Sequence, residues 1–353
     1  MKAWEDKIRR VTPYTPGEQP QEPDKVKLNT NENPYPPSPA VKKALDGMDE
    51  QLLRLYPDPT ASVLTKAIAG YHGVGQDQVF VGVGSDDVIA MAFMTFFSSG
   101  KPIFFPDVTY SFYPVWAELF KIPYETKPLG EHFEIRPEDY YDANGGVIFP
   151  NPNAPTSRLE KVEVIEDILD HNQDCIVIVD EAYVDFADYS VLPLLDRYEN
   201  LLVVRTFSKS RSLAGMRIGY AIGSPELIKA MSDIKYSYNS YTINQTSLVA
   251  GAASISDETY FRETIERIKA TRRRSCERFT ELGFRYTEPQ ANFIFVTHPD
   301  LDAGELFKAL REAHIYVRYF DAPRTRDYLR VTIGTDAQMD LLFDFLKDYE
   351  GRV

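Results

Sequence analysis

The alternation of short apolar runs with helical stretches constrains the fold of this 353-residue sequence more than any other feature. Six such runs lie between residues 79 and 223, and they read VFVGV, PIFF, GVIF, CIVIV, LLVVRTF and IGYAIG. Helical patterns follow the first three runs, at about residues 86–98, 111–121 and 160–170. Strands that are apolar throughout are typical of a parallel sheet covered by helices on both faces. The sequence therefore predicts an α/β fold with a mainly parallel sheet.

The rest of the chain divides into an arm, a helical region and a small α+β unit. Proline and polar residues dominate the beginning, which favours an extended arm, and long helical patterns run from residue 225 to about 282. Three strand patterns follow (ANFIFV, IYVRYF and YLRVTIG), with helices at 303–313 and 336–349. We expect a ligand site between two domains. The predicted parts are an arm (1–30), a large α/β domain (31–250) and a small C-terminal α+β domain (251–353).

Composition excludes several classes of partner. The chain has 39 basic and 53 acidic residues and a net charge of −14, so we expect it to bind neither nucleic acid nor anionic membranes. The N-terminus lacks a signal-peptide pattern, and no apolar run approaches the roughly 18 residues that a membrane span requires. We therefore expect a cytoplasmic protein. Cys175 and Cys276 are expected to be structural, and the five histidines show no metal-binding spacing, so no metal is predicted.

The residues that follow the apolar runs are the candidates for chemistry, because ligands of open parallel sheets bind beyond the carboxyl ends of the strands. A glycine turn before a helix, ending in Gly84 and Ser85, offers free backbone amides to an anion. It completes neither a dinucleotide fingerprint nor a phosphate loop. Asp180 ends a buried strand and needs a cationic or hydrogen-bonding partner. Lys209 follows another buried strand, and burial favours a nucleophilic amine over an ammonium ion.

Together these residues indicate a ligand with four properties. It needs an anionic group, a cationic ring atom for Asp180, a flat face for Tyr110 and an electrophile for the Lys209 amine. Pyridoxal phosphate has all four properties, and a lysine with an acidic partner for the ring nitrogen is what proteins supply to it.

Seven segments resemble histidinol-phosphate aminotransferases, which belong to the fold-type I pyridoxal-phosphate aminotransferases, and the resemblance covers nearly the whole chain. The segments are NTNENPY (29–35), RLYPDP (54–59), VGVGSDD (81–87), NPNAPTS (151–157), VDEAYVDF (179–186), RTFSKSRSLAGMRIGYAIG (205–223) and LRVTIG (329–334). The resemblance implies a large domain with a mainly parallel seven-stranded sheet and a smaller α+β domain. It also implies transamination of L-histidinol phosphate with 2-oxoglutarate, giving imidazole acetol phosphate and L-glutamate, in histidine biosynthesis.

The resemblance also implies residue roles. Lys209 would bind the cofactor covalently, Asp180 would keep its pyridine nitrogen protonated, and Tyr183 would hydrogen-bond its ring oxygen. Tyr110 would stack on the ring. Tyr56 would reach the phosphate in a neighbouring subunit, which implies a homodimer. The residues expected around the phosphate are Gly84, Ser85, Asp86, Thr206, Ser208 and Arg217.

One position departs from the family pattern. Many relatives carry asparagine before Pro-Thr-Gly as a ligand of the ring oxygen, whereas this chain has Ala154. Either Asn153 takes over that contact or Tyr183 holds the oxygen alone. For the anionic substrates, Arg318 and Arg330 are the candidate clamps, and Tyr14 in the arm resembles a residue that folds over the substrate.

Three other functions are compatible with these residues. An aromatic or broad-specificity aminotransferase and a threonine-phosphate decarboxylase would share the cofactor residues and differ in the substrate pocket. A non-catalytic pyridoxal-phosphate-binding regulator is the alternative from another class. Such regulators carry an added DNA-binding domain, and the acidity of this chain argues against that reading.

Overall fold

The computed structural model describes Lys2 and residues 4–351, which contain thirteen strands and ten α-helices. The strands are β1 (Val26–Lys27), β2 (Val79–Gly82), β3 (Ile103–Pro106), β4 (Tyr124–Lys127), β5 (Val147–Pro150), β6 (Val177–Asp180), β7 (Leu201–Thr206), β8 (Gly219–Ile222), β9 (Arg285–Tyr286), β10 (Phe293–Thr297), β11 (Ile315–Tyr316), β12 (Arg318–Tyr319) and β13 (Leu329–Thr332). The helices are α1 (Pro39–Asp46), α2 (Ser62–His72), α3 (Ser85–Phe96), α4 (Phe112–Phe120), α5 (Val162–His171), α6 (Pro225–Tyr238), α7 (Gln245–Ser256), α8 (Glu258–Glu281), α9 (Ala303–Glu312) and α10 (Asp336–Glu350).

Seven strands form the central sheet in the order β2-β8-β7-β6-β5-β3-β4. All run parallel except β8, which is antiparallel to both β2 and β7. The predicted α/β class with a mainly parallel sheet is confirmed. The apolar runs did not predict the edge strand β4, because three of its four residues are exposed and its sequence, YETK, is mostly polar. An edge strand with polar side chains lacks the pattern that identifies a buried strand.

Helices cover both faces of this sheet, as the unbroken apolar runs predicted. Along β6, Ile178 packs with residues of α3, α4 and α6, whereas Val177 and Val179 pack on the other face with α5. Successive side chains of a strand point to opposite faces, so each apolar run contributes to two cores. Because both faces of the sheet are buried, the positions of the strand ends are well defined. The residues that follow the strands are therefore also held in defined positions.

The C-terminal part contains an antiparallel sheet in the order β12-β13-β10-β9, packed with α8 and α10 in its own apolar cluster. The IYVRYF segment forms two short strands instead of one, since β11 pairs with β1 and β12 pairs with β13. Val26 and Leu28 belong to this apolar cluster. The chain that follows β1, residues 29–32, is therefore anchored to the C-terminal part. The division into an arm and two domains at residues 30 and 250 stays a prediction.

Candidate active site

A cavity of about 460 Å³ opens at the carboxyl ends of β6 and β7, between the central sheet and the C-terminal part. Its walls bring together residues from segments far apart in the sequence. The predicted site residues that line it are Tyr14, Ser85, Asp86, Tyr110, Asp180, Tyr183, Thr206, Ser208, Lys209, Arg217, Arg318 and Arg330.

One end of the cavity is built to receive an anion. Helix α3 begins at Ser85, where the N–H groups of the first turn have no partner within the helix and the helix dipole is positive. Gly84 has φ 85°, a conformation that favours glycine, and a Cβ there would collide with the Arg217 guanidinium. The Thr206 hydroxyl donates to Ser208 Oγ at 3.0 Å, which leaves the Ser208 hydrogen free to turn toward the cavity.

A carboxylate also faces this anion-binding end. Asp86 accepts hydrogen bonds from Arg217 Nη2 at 3.2 Å and from the Tyr110 hydroxyl at 2.9 Å. Burial raises the pKa of Tyr110 well above its ordinary value, so its hydroxyl stays protonated and can donate. An incoming phosphate would share Arg217 with Asp86. Tyr110 is held in place by the same carboxylate.

The Asp180 carboxylate lies at the bottom of the cavity and is almost fully buried. Desolvation raises its pKa from 3.8 to about 6, although hydrogen bonds from the Tyr113 hydroxyl and the Ala182 amide act in the opposite direction. The Tyr113 hydroxyl donates to Oδ2 at 3.0 Å, and the Ala182 amide donates to Oδ1 at 3.1 Å. A protonated ring nitrogen would supply the positive charge that this carboxylate lacks. Sequence reasoning missed Tyr113.

Lys209 and Tyr183 form the reactive wall of the cavity. Lys209 is half-buried, and its Nζ donates to the Thr30 carbonyl at 3.0 Å and lies 5.8 Å from the centre of the Tyr183 ring. The Tyr183 hydroxyl accepts a hydrogen bond from Asn31 Nδ2 at 2.9 Å. Thr30 and Asn31 were also missed as site residues, although they lie in the NTNENPY segment that carried part of the resemblance.

Opposite the anion-binding end, Arg330 and Arg318 provide a second positive region. Arg330 Nη2 donates to the Asn29 carbonyl at 2.9 Å, and its Nε is buried with no partner among the described residues. Burial lowers the pKa of Arg330. Arg318 Nη2 donates to the Thr15 carbonyl at 3.3 Å, so the arm lies against this end. The Tyr14 ring stacks on Phe112 with centroids 4.4 Å apart.

Asn153 and Tyr56 do not line the cavity, although both were candidates. Asn153 Nδ2 donates to the Val108 carbonyl and to Thr156 Oγ1, and Ala154 lines the cavity instead. This geometry does not support a ring-oxygen contact from Asn153, because its only donor group is engaged elsewhere. The Tyr56 side chain is 82% exposed and packs against the Tyr241 ring at 4.7 Å.

The residues present fit pyridoxal phosphate. The cavity offers a helix N-terminus with hydroxyls and Arg217 at one end, and a buried carboxylate that needs a cationic partner beneath the middle. Lys209 also lines this cavity.

Among the described residues, no group of three histidine, cysteine or acidic side chains could hold a metal ion. Within those residues, no helix is both long and apolar enough to span a membrane.

Comparisons with known proteins agree with this geometry. The sequence family Aminotransferase class I and II matches residues 23–346. The chain is 49% identical over 347 residues to histidinol-phosphate aminotransferase of Lactococcus lactis subsp. cremoris (strain MG1363), covering 98% of each chain. It is 51% identical over 352 residues to histidinol-phosphate aminotransferase 2 of Dechloromonas aromatica (strain RCB), covering 99% of each.

Solved structures show the same fold. Histidinol-phosphate aminotransferase from Sinorhizobium meliloti in complex with pyridoxal-5'-phosphate superposes with a TM-score of 0.83, at 22% identity over 91% of each chain. The enzyme from Clostridium acetobutylicum has a TM-score of 0.85, at 24% identity over 92% of this chain and 99% of that chain. The chain therefore belongs to the class I and II aminotransferases and, within them, to the histidinol-phosphate aminotransferase family.

Proposed function

We propose that this pyridoxal-phosphate-dependent aminotransferase transfers the amino group of L-histidinol phosphate to 2-oxoglutarate, giving imidazole acetol phosphate and L-glutamate. The observation that carries the proposal is one cavity with Lys209, a buried Asp180 and two positive ends. One end suits the cofactor phosphate, and the other suits the phosphate or carboxylate of an anionic substrate. Relatives at about half identity over nearly the full length bear the name of this activity.

Lys209 is the group that moves protons in this proposal. When bound, pyridoxal phosphate supplies an electron-withdrawing ring that stabilises negative charge on the carbon bearing the amino group. The Lys209 Nζ removes the proton from that substrate carbon and delivers it to the cofactor carbon that takes over the amino group. The place of Lys209 directly after the buried turn Phe207–Ser208 that follows β7 limits the motion of the amine, which helps to keep it within reach of both carbons.

Asp180 and Arg330 orient the reactants. Asp180, with its carboxylate fixed by Tyr113 and Ala182, holds a proton on the ring nitrogen. Arg330 has donors that the described protein atoms leave free, and a guanidinium fork binds carboxylate or phosphate through two parallel hydrogen bonds. Arg318 lies on the neighbouring strand, opposite Arg330 in the β12–β13 pairing. The pair can therefore hold either the phosphate of one substrate or the carboxylate of the other.

An aromatic amino donor is the second candidate, and a specific feature favours it. A cavity of about 440 Å³ adjoins the first and shares Tyr14, Tyr110, Arg318 and Arg330 with it. Its additional walls include Phe105, Val108 and Phe320 and are mainly apolar. A site of this kind accepts a flat side chain.

The test is an absorbance titration of the cofactor-loaded protein with L-histidinol phosphate, L-glutamate and L-phenylalanine separately. The proposal expects histidinol phosphate to abolish the visible cofactor band at the lowest concentration. Preference for phenylalanine would identify an aromatic aminotransferase. Release of carbon dioxide without 2-oxoglutarate would identify a decarboxylase, and a band that no amino donor changes would indicate a regulator.

Replacing Lys209 tests the assignment of the proton-transfer group. Lys209→Ala removes the only side-chain amine that lines the described cavity, so the turnover rate should fall by at least about a thousandfold. The measurement is glutamate formation from histidinol phosphate and 2-oxoglutarate. Lys229→Ala, on the exposed face of α6, is the control and should keep the wild-type rate. A Lys209→Ala variant with more than a tenth of that rate would contradict the assignment.

We also propose a cytoplasmic homodimer in which Tyr56 contacts the cofactor phosphate of the partner. Tyr56 is highly exposed and packs on Tyr241, while Leu53 and Tyr238 are 61% and 71% exposed. Large aromatic and aliphatic side chains at this exposure are typical of an interaction surface. The two cysteines are unpaired, in keeping with a reducing compartment.

A further inference from the structure

Three hydrogen-bonded side chains connect the C-terminal sheet to the reactive wall of the cavity. They are Thr332 at the end of β13, Asn31 in the segment after β1, and Tyr183 after β6. Their exposed fractions are 2%, 1% and 9% respectively, so water does not compete for their hydrogen bonds.

Thr332 determines which way the Asn31 carboxamide faces. The Asn31 backbone N–H donates to Thr332 Oγ1 at 3.0 Å, and the Thr332 hydroxyl donates to Asn31 Oδ1 at 2.9 Å. The carboxamide nitrogen must then face the other way, where it donates to the Tyr183 hydroxyl at 2.9 Å. If the carboxamide were reversed, the Thr332 hydrogen would lose its only acceptor in the described part of the chain.

The direction of these hydrogen bonds determines whether the Tyr183 hydroxyl can donate a hydrogen bond into the cavity. A phenol has one hydrogen to donate, and its oxygen can accept. Because the Tyr183 oxygen accepts from Asn31, its hydrogen is not used by Asn31 and remains available to the cavity. Ala154, which lines the same cavity, has no side-chain donor to add to that of Tyr183.

We propose that Asn31 is a positioning residue that commits Tyr183 to donating a hydrogen bond to the cofactor's ring oxygen, and that Thr332 fixes the Asn31 carboxamide for this purpose. The inference rests on the proposed function, because it takes Tyr183 to be the contact of the ring oxygen. It goes further because it explains why Tyr183 donates this hydrogen bond: its oxygen already accepts one from Asn31.

The backbone at Asn31 determines which substitution is informative. Asn31 has φ 56°, and its carbonyl accepts from Asn292 Nδ2 at 3.0 Å. Glycine adopts this left-handed conformation without strain, whereas alanine would add a backbone effect. Asn31→Gly therefore removes the carboxamide without straining the left-handed backbone. Thr332→Val removes the hydroxyl and keeps the side-chain shape, which lets the carboxamide turn its oxygen toward Tyr183.

The test is a pH titration of the visible band of the cofactor-loaded protein. The pKa of the lysine–cofactor nitrogen depends on how well the ring oxygen is stabilised once that nitrogen has lost its proton. A lost donor disfavours the unprotonated form and raises this pKa. We expect a rise of about one unit in Thr332→Val, close to that in Tyr183→Phe, and a smaller rise in Asn31→Gly. The matched control, Thr332→Ser, keeps the hydroxyl and should titrate as the wild type does.

Every variant leaves in place the charged groups that share the cavity with Tyr183, which are Glu32, Asp86, Asp180, Lys209, Arg217, Arg318 and Arg330. The thermal unfolding midpoint and the cofactor dissociation rate are measured for each variant as well. Thr332→Val should release the cofactor faster than Thr332→Ser does. A Thr332→Val variant that loses thermal stability while titrating with the wild-type pKa would overturn the inference and leave the proposed function intact. A wild-type protein without a titratable visible band would overturn both.

Discussion

Asp180 is a carboxylate whose surroundings oppose its charge. Burial raises its pKa to about 6, and Tyr113 and Ala182 offset that penalty only in part. A buried carboxylate without a cationic partner prefers to keep its proton. The cofactor-free site is therefore held in an unfavourable state that a protonated ring nitrogen relieves, which favours binding of the ring in its protonated form.

This carboxylate should make the stability of the cofactor-free protein depend on pH. Because the pKa of Asp180 is higher in the folded than in the unfolded chain, its contribution is fully present below about pH 4 and is lost as pH rises through 6. The difference between 3.8 and about 6 corresponds to at most about 3 kcal/mol. Relative to Asp180→Asn, the wild type should thus lose stability between pH 4 and 7 in urea unfolding. A constant difference between the two proteins over that range would contradict the raised pKa.

Sequence reasoning at the residue scale identified the side chains that carry motifs and missed those that support them. Asp180 and Lys209 follow buried strands, so the pattern itself singles them out. Tyr113 and Asn31 act on residues 67 and 152 positions away in the chain. Nothing local in a helical tyrosine or a polar loop indicates which distant group it will meet, so their roles required the packed structure.

Among the elements, the N-terminus of α3 and the beginning of β8 are in close backbone contact. Strand β8 lies between β2 and β7 in the opposite direction, which brings its first residue, Gly219, against the turn before α3. A Cβ at Gly219 would collide with the Gly84 backbone and the Ser85 amide. The backbone amides that face the phosphate can therefore take their positions only because residue 219 has no side chain.

A methyl group at this contact should weaken cofactor binding. Gly219→Ala forces the turn before α3 away from β8, and we expect at least a tenfold loss of cofactor affinity, with about 1–3 kcal/mol of overpacking strain. Equilibrium dialysis measures the affinity and thermal unfolding measures the strain. Gly215→Ala is the matched control, because a Cβ there meets nothing within 4 Å. Equal affinities in the two variants would show that the close contact does not shape the phosphate site.

The sequence predicted the strands that are fully buried and missed those that are exposed or short. The runs that became β5, β6 and β7 are buried at every residue, and their apolar pattern identified them. The polar edge strand β4 and the division between β11 and β12 escaped prediction, since both depend on which neighbour supplies the hydrogen bonds.

At the scale of the whole molecule, the cavity of one chain is lined by all of the predicted site residues except Gly84, Asn153 and Tyr56. Gly84 directly precedes Ser85 of the cavity wall, whereas Tyr56 lies on an exposed surface with Tyr241. A symmetric dimer places the same surface patch of each chain against the other, so a residue of that patch can complete the partner's site. This arrangement would make each active site a product of two chains.

Pairing two inactive chains tests this shared site directly. If Tyr56 serves the partner, a heterodimer of Lys209→Ala with Tyr56→Ala contains one site with both wild-type residues and one with neither. Co-expression with two affinity tags and sequential purification isolates this heterodimer, which should have about half of the wild-type rate per dimer. Each parent homodimer should be far less active, because every one of its sites lacks a residue. If Tyr56 acted within its own chain, both sites of the heterodimer would be damaged, and its rate would only average those of the parents.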